Sequence, residues 1–457
     1  MSSSTPVLLH LLLLVSLASA GHFYGGSMSV TPKGRNADGT FKVDLRYKNT
    51  HDWCDYSRWY CSSGNCGSSI KDVRGTIDSS SRGRSGYNNQ WCETETVETR
   101  NIPSDKPFQL IQNSCCWIPT VNGLGPWSLE TQVDLGTRSD TGEPNRSPVT
   151  AILPFIRVPQ NCQRSYNLMA FDPDGDRVRC RYGLVRPECD SCDQPSGFYL
   201  DQGSCSLQYG YTSTSGVYAT TTAPATTTRP TAPATTTRPT TTATTTRPTT
   251  TAPATTTRPT TSAPVHAGRR RRSSYQTTVS YPTTTTTTRP TTTTPWPTTT
   301  PPWPTTTTTT TTTTPGSLYP STAPLSKLPL HFSLLVDSSV PSCDEGMYLP
   351  RFVQPTPHNG EHLHAEVNKE LEFRVKAEAT HSTINDVIVS GPLNITNHMT
   401  TQGEFVIRWT PIRDNLGEYF PICFITEGIS GSSVYQSEMR CVVVEVGRKK
   451  GLYIIPP

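Results

Sequence analysis

The sequence predicts a mainly β protein in which disulfide-rich, antiparallel β-sandwich modules are separated by a disordered linker rich in threonine and proline. Three observations lead to this class. The chain of 457 residues contains 14 cysteines but only 33% hydrophobic residues, which is too few for one large core. The polar excess is concentrated in the tract 219–322. Outside this tract, short apolar runs alternate with polar residues in the manner of strands.

Residues 1–20 have the features of a secretory signal peptide. The apolar run Val7–Leu17 is too short to cross a bilayer, and Ala18-Ser19-Ala20 offers a small-residue cleavage site after Ala20. No later apolar run reaches the about 18 residues of a membrane helix. We therefore expect a secreted, extracellular protein without a transmembrane segment, unless the chain is a shortened form of a protein held at the cell surface.

Cysteine usage fits this compartment, because fourteen cysteines in an oxidising space are most simply disulfides. Eleven precede the tract and three follow it. Both numbers are odd, so at least one bond joins the two regions if every cysteine pairs within the chain; two free or intermolecular thiols are the alternative. We expect the adjacent Cys115 and Cys116 to have different partners, and the Cys189-x-x-Cys192 pair to be structural. The candidates are Cys54, Cys61, Cys66, Cys92, Cys115, Cys116, Cys162, Cys180, Cys189, Cys192, Cys205, Cys343, Cys423 and Cys441.

The region before the tract divides into two expected β units. Residues 21–135 form a Cys-rich subdomain, in which the stretches Ser27–Thr31 and Thr40–Tyr47 flank Asn36-Ala-Asp-Gly39, a hairpin turn signal. Residues 136–218 form a second β module.

The tract 219–322 repeats the unit TTTRPT and contains no acidic residue. Such a composition in a secreted chain predicts an O-glycosylated, mucin-like stalk that holds two β heads apart; an expanded insert without a role is the alternative. The nine arginines of the tract exceed the net charge of +4, so the rest of the chain is net acidic and no nucleic-acid partner is expected.

Four arginines, Arg269–Arg272, lie within this tract. They match the substrates of secretory convertases, with cleavage after Arg272, in an accessible segment. The alternative is an uncut basic cluster that binds sulfated or sialylated glycans.

Residues 323–457 predict a β-sandwich. The segment Leu371–Ala379 alternates apolar and polar positions over nine residues, which is typical of a half-buried strand. Turn signals separate the other strands, which we expect at Leu330–Val336, Val387–Ser390, Glu404–Trp409, Tyr419–Thr426 and Arg440–Val446.

Several motifs resemble cadherin-like and Ig-like extracellular modules. They are Leu371-Glu-Phe373, Trp409-Thr-Pro411 and Gly417-Glu-Tyr419, with Met169–Cys180 and Gly216-Val-Tyr218 before the tract. This resemblance implies Ig/cadherin-like modules at 136–218 and 323–457, with Trp409 in a core and the tyrosines at strand corners. The start His22–Ser27 and the closing strand Tyr435–Cys441 also resemble uncharacterised secreted or cell-surface animal ectodomain proteins. These have no assigned activity.

The sequence offers few candidate binding sites. Asp172, Asp174 and Asp176 could ligate Ca²⁺ or form a polar turn, and we favour the turn. No other cofactor is expected. Trp53, Tyr56, Trp59 and Tyr60 could stack on sugars if exposed, or form a small aromatic core.

Two sequons begin at Asn394 and, more weakly, at Asn145. The histidines His358, His362 and His364 are more simply solvated than metal-bound.

No catalytic motif is present. We therefore expect a non-enzymatic glycoprotein for extracellular adhesion, recognition or barrier formation, with unidentified protein or glycan ligands. A lectin-like protein and a precursor cleaved into fragments are the alternatives.

Overall fold

The structure is a computed structural model that describes residues 22–56, 58–80, 91–192, 194–222, 225–226 and 325–447. The cleavage positions after Ala20 and Arg272 lie outside these residues. Apart from the 3-10 helix Arg413–Asn415, the regular structure of the described residues consists of β-strands. The expected mainly β class is confirmed.

Among the residues that the structure describes, sixteen strands precede the tract or enter its first residues. They are β1 (Phe23–Arg35), β2 (Phe41–His51), β3 (Tyr60–Ser63), β4 (Ser68–Ser79), β5 (Cys92–Ile102), β6 (Phe108–Ser114), β7 (Trp127–Val133), β8 (Val149–Thr150), β9 (Phe155–Pro159), β10 (Arg164–Asn167), β11 (Ala170–Phe171), β12 (Val178–Arg179), β13 (Phe198–Asp201), β14 (Ser206–Tyr209), β15 (Gly216–Thr222) and β16 (Ala225–Thr226).

Ten strands follow the tract. They are β17 (Leu330–Asp337), β18 (Arg351–Val353), β19 (His362–Glu366), β20 (Leu371–Glu378), β21 (Thr383–Ser390), β22 (Thr396–Thr401), β23 (Glu404–Trp409), β24 (Tyr419–Ser430), β25 (Ser433–Gln436) and β26 (Arg440–Gly447).

The largest sheet has the strand order β15-β17-β1-β2-β5-β4, and β9 pairs with β17 in parallel. We call it the N-terminal sheet. Strands β1 and β2 form the expected hairpin, and Gly39 in its turn has a positive φ of 85° that favours glycine. A three-stranded sheet, β3-β6-β7, packs against it over one apolar core that includes Phe41, Trp59 and Trp127.

The C-terminal sandwich consists of the sheets β18-β20-β23-β22 and β19-β26-β24-β21, with β25 added to β24. Along β20, Val375 and Ala377 are buried and their neighbours are more exposed, which confirms the alternation predicted for this strand. Trp409 is 3% exposed in the sandwich core, and its indole N–H donates to the Leu393 carbonyl at 3.1 Å. The antiparallel sandwich is confirmed.

Strand β17 lies in the N-terminal sheet, whereas the sequence analysis grouped it with the C-terminal sandwich. It pairs with β15 along one edge, and with β1 and β9 along the other. Every residue from Leu330 to Val336 is buried, as expected for an inner strand covered on both faces. One apolar core contains Phe332 together with Ile425 and Val443 of the sandwich, so the segments before and after the tract share a hydrophobic core.

All fourteen cysteines are paired, and there are no free thiols. Cys115 bonds to Cys116, so the expectation that these two cysteines have different partners is wrong. The other twelve cysteines form six bridges among themselves and leave these two for each other. The bridges are Cys54–Cys92, Cys61–Cys66, Cys115–Cys116, Cys162–Cys343, Cys180–Cys205, Cys189–Cys192 and Cys423–Cys441.

Candidate functional site

The two ends of the Thr/Pro tract are rooted side by side on adjacent strands. Strand β15, which leads into the tract, pairs antiparallel with β17, which follows it, from Gly216 opposite Val336 to Thr222 opposite Leu330. Opposed Cα atoms in such a pair lie about 5 Å apart. The Thr222 hydroxyl also donates to the Leu330 carbonyl. The chain therefore enters and leaves the tract at one place on the N-terminal sheet.

The returning end is fixed by a buried charge cluster around Lys327. Its ammonium lies 2.8 Å from a Glu130 carboxylate oxygen and 2.7 Å from one of Glu188. Its backbone exchanges both hydrogen bonds with Gln132 of β7. Burial opposes the ionisation of Glu188, but the hydrogen bonds from Arg181 and Lys327 outweigh it and lower the pKa of Glu188 to about 2. Lys327 thus holds this end of the tract by charge and by backbone pairing.

A disulfide adds a covalent link close to this root. Cys162 follows β9 and bonds to Cys343, which follows β17, across a sequence separation of 181. This is the bond between the two regions that the odd cysteine counts require when every cysteine pairs. The described strands on the two sides of the tract are therefore held together by backbone pairing and by a nearby disulfide.

Two of the three aspartates of the candidate calcium site contact a buried arginine. Arg138 is 2% exposed, and its guanidinium lies 2.5 Å from an Asp176 oxygen and 3.7 Å from one of Asp174. Asp172 accepts the backbone N–H of Asp174 at 2.8 Å, and burial raises the pKa of Asp172 to about 7. The Arg138 guanidinium thus pairs with Asp174 and Asp176, while Asp172 accepts a hydrogen bond within the turn.

The described residues hold no group of three or more His, Cys, Asp or Glu side chains placed to bind a metal ion. His358, His362 and His364 are all exposed.

The aromatic cluster is divided between core and surface. Trp59 is 3% exposed and packs near Tyr47 with ring centroids 6.1 Å apart, so it cannot stack on a sugar. Trp53 is 44% and Tyr60 66% exposed, and Tyr56 is intermediate. The aromatic-core alternative therefore holds for Trp59, whereas Trp53 and Tyr60 face solvent.

The two sequons differ in accessibility. Asn145 is 3% exposed; its amide donates to the Asp134 carbonyl at 3.1 Å, and its side-chain oxygen accepts from Arg138 at 3.3 Å. This fold leaves no room for a glycan there, so the structure disagrees with the expectation for Asn145. Asn394 and Thr396 are exposed.

Sequence reasoning missed two carboxylates between the N-terminal sheet and the C-terminal sandwich, the half-buried Asp78 and the buried Glu93. Asp78 accepts the backbone N–H of Val389 at 2.9 Å, and Glu93 accepts the hydroxyl of Ser390 at 2.9 Å. Burial raises the pKa of Asp78 and of Glu93 to about 7 each. Their partners lie about 300 residues away in the chain, so no local motif could have indicated this contact.

Oppositely charged residues reinforce the same contact. Glu418, before β24, accepts from Lys33 of β1, and from Arg46 of β2 at 3.1 Å. Lys71 of β4 lies 2.9 Å from an Asp414 carboxylate oxygen. The two parts are therefore joined by ion pairs as well as by the shared core.

Comparison with known proteins gives distant similarities. No family model matches the chain. Integrin beta-like protein A of Dictyostelium discoideum is 24% identical over 225 residues, which is 45% of this chain and 11% of that protein. Integrin beta-like protein E of the same organism is 26% identical over 136 residues, or 29% of this chain and 7% of that protein. The chain thus spans only 7% to 11% of the length of these relatives.

Solved structures that resemble the chain include the titin I-band fragment I67–I69 and the D1–D4 ectodomain fragment of ICAM-5. The titin fragment is 10% identical, covers 92% of this chain and 98% of its own, and has a TM-score of 0.16. The ICAM-5 fragment is 9% identical, covers 92% of this chain and 77% of its own, and has a TM-score of 0.15. TM-scores this low establish no shared fold. Among the described residues, no helix is long and apolar enough to cross a membrane.

Proposed function

We propose that this chain is a secreted, non-enzymatic glycoprotein of the adhesion type, which displays its Thr/Pro tract as an O-glycosylated loop from a disulfide-stabilised β body. The observation that carries the proposal is the pairing of Thr222 with Leu330, which roots both ends of the tract on one sheet. The low-level similarity to integrin beta-like proteins is consistent with an extracellular adhesion role.

The loop arrangement changes what the tract does physically. A chain of about 100 residues extends about 300 Å at most when it links two separate bodies. Closed at its base, the same chain reaches at most about half that distance, but it presents two glycosylated arms beside each other. We propose that the tract forms a hydrated, protease-resistant layer on the surface of the β body. Extracellular protein or glycan partners would bind to this layer.

The test is expression of the full chain in a secretory host, beside a variant in which residues 227–324 are replaced by a Gly/Ser linker of about ten residues. Because the root strands already pair, we expect the variant to be secreted and folded. O-glycans should map to tract peptides of the full chain by mass spectrometry. Adhesion of coated beads to cells should fall in the variant. A chain that stays in the cytosol, or a tract with unmodified hydroxyls, would refute the proposal.

Sugar binding by the body itself is a second candidate, favoured by the exposed rings of Trp53 and Tyr60. A glycan array with the variant Trp53→Ala/Tyr60→Ala as its control tests this function. Trp59→Ala is unsuitable as a control because Trp59 is buried. Binding that is equal in wild type and the double variant would exclude this surface.

A further inference from the structure

A cleft of about 80 Å³ lies between the N-terminal sheet and the C-terminal sandwich. Its sheet wall includes Val73 of β4 and Val97 of β5, and its sandwich wall includes Leu393, Trp409 and Ile412. Val73 is 41% and Ile412 52% exposed. The cleft therefore presents an apolar surface to solvent at the junction of the two parts.

The two walls are tied together beside the cleft. Glu95 of β5 accepts the backbone N–H of Leu393 at 3.0 Å. A Cβ on Gly75 of β4 would lie 2.9 Å from the Leu393 side chain, so the absence of a side chain at Gly75 permits this close approach. The ion pair of Lys71 with Asp414 spans the same junction. Whatever fills the cleft therefore touches both parts at once.

Asn394 lies in the lining of this cleft and starts the sequon Asn394-Ile-Thr396. Its φ of 65° lies in the left-handed region, which asparagine tolerates, in a turn closed by the Ile395 N–H and the Pro392 carbonyl at 3.2 Å. Asn394 and Thr396 are both exposed. The one accessible sequon thus places its acceptor amide at the cleft.

We propose that Asn394 carries an N-linked glycan whose first N-acetylglucosamine packs into this cleft and stabilises the contact between the N-terminal sheet and the C-terminal sandwich. In the modification, the Asn394 amide nitrogen bonds to the anomeric carbon of the sugar and loses a proton to the transferase. The bond from that carbon to the lipid-linked diphosphate donor breaks, and the diphosphate leaves with the electron pair. The inference rests on the proposed passage through the secretory pathway.

The chemistry of the cleft fits this occupant. A pyranose ring has an apolar C–H face and polar edges. Val73 and Ile412 offer the exposed apolar surface for that face, while Lys71, Thr410 and Asp414 supply polar groups around it. The sugar is delivered in place by its bond to Asn394, so it occupies the cleft without the entropy cost of free association.

The experiment compares three forms of the full chain secreted from a host that makes high-mannose N-glycans. One form is untreated, one is trimmed by endoglycosidase H to a single N-acetylglucosamine, and one is stripped by peptide N-glycosidase F, which hydrolyses the amide and leaves an aspartate at position 394. We expect the first two to share one melting temperature, and the stripped form to melt about 2 °C or more below them. Thr396→Ala, which keeps Asn394 but removes the sequon, should match the stripped form.

A matched variant separates packing from other effects of glycosylation. Val73→Ser/Ile412→Ser should lower the melting temperature of the single-sugar form and leave that of the Thr396→Ala protein nearly unchanged. Equal melting of trimmed and stripped forms, or equal effects of the cleft variant on both backgrounds, would overturn the inference. A secreted chain without sugar on Asn394 would overturn it and leave the proposed function standing, whereas a chain that is not secreted would overturn both.

Discussion

Cutting the tract should yield two chains that do not come apart. The perturbation is cleavage after Arg272 by a convertase, which places the strand β15 and its partner β17 on different chains. The piece that begins after the cut keeps β17 inside the N-terminal sheet, where five of its apolar residues are at most 1% exposed. These five residues are Leu330, Phe332, Leu334, Leu335 and Val336. Full burial of one such side chain contributes about 1.5–3 kcal/mol to the free energy that keeps β17 in the sheet. Together the five contribute about 8–15 kcal/mol as an upper estimate.

Three samples show whether the cut chains are held together by the insertion of β17 in the N-terminal sheet or by the disulfide alone. Cut wild type should run as one species on a denaturing gel without reductant and as two with it, because Cys162 and Cys343 remain bonded. Cut Cys162→Ala/Cys343→Ala should show two denatured chains without reductant, yet both should elute together from gel filtration in native buffer. Arg272→Ala should stay whole. Separation of the cut double variant in native buffer, while its uncut form is folded, would refute the reasoning.

Three further predictions concern stability. Wild type should gain stability as the pH falls from about 8 to about 5, because the pKa values near 7 of Asp78 and Glu93 in the folded protein exceed the ordinary values of 3.8 and 4.5 for these side chains. This contribution is complete below about pH 4 and is lost as the pH rises through 7, so melting curves of Asp78→Asn/Glu93→Gln should show a flatter pH profile; an unchanged slope contradicts this. Arg138→Met should cost about 3–5 kcal/mol in urea unfolding, because it leaves buried carboxylates without their counterion; a loss below about 1 kcal/mol would argue against that role. Trp59→Ala should cost about 3–5 kcal/mol and Tyr60→Ala little, and similar losses would contradict the assigned burial.

The strands were predictable where the signal is local. The alternation of Leu371–Ala379 and the turn Asn36-Ala-Asp-Gly39 arise from neighbouring residues, and the structure contains both the strand and the hairpin. Trp409 belongs to the same group, because the motif around it resembles known sandwich modules and the structure buries it. The alternation of apolar and polar residues, together with the turn residues, is therefore sufficient to predict the fold class.

The placement of those strands was not predictable in the same way. Leu330–Val336 is a continuous apolar run, and such a run indicates an inner strand without naming its sheet. Its partners at 216–222 and 155–159 are more than 100 residues away. The charge of Arg138 could likewise be read from the sequence, but only the fold brings it against Asp176. Contacts between residues this far apart in the chain have no characteristic spacing, so they cannot be recognised in a single sequence.

The cysteine counts gave the one long-range constraint that a single sequence does contain. Odd numbers on each side of the tract require a bond across it when all cysteines pair, and Cys162–Cys343 is that bond. This bond brings segments that lie 181 residues apart in the chain to within 5.4 Å of each other, measured between the Cα atoms of Cys162 and Cys343. The pairing of Thr222 with Leu330 supplies the same geometry by independent means. Parity and strand register thus agree that the segments before and after the tract meet at one sheet, so we expect a change in the length of the tract to leave the described β structure folded.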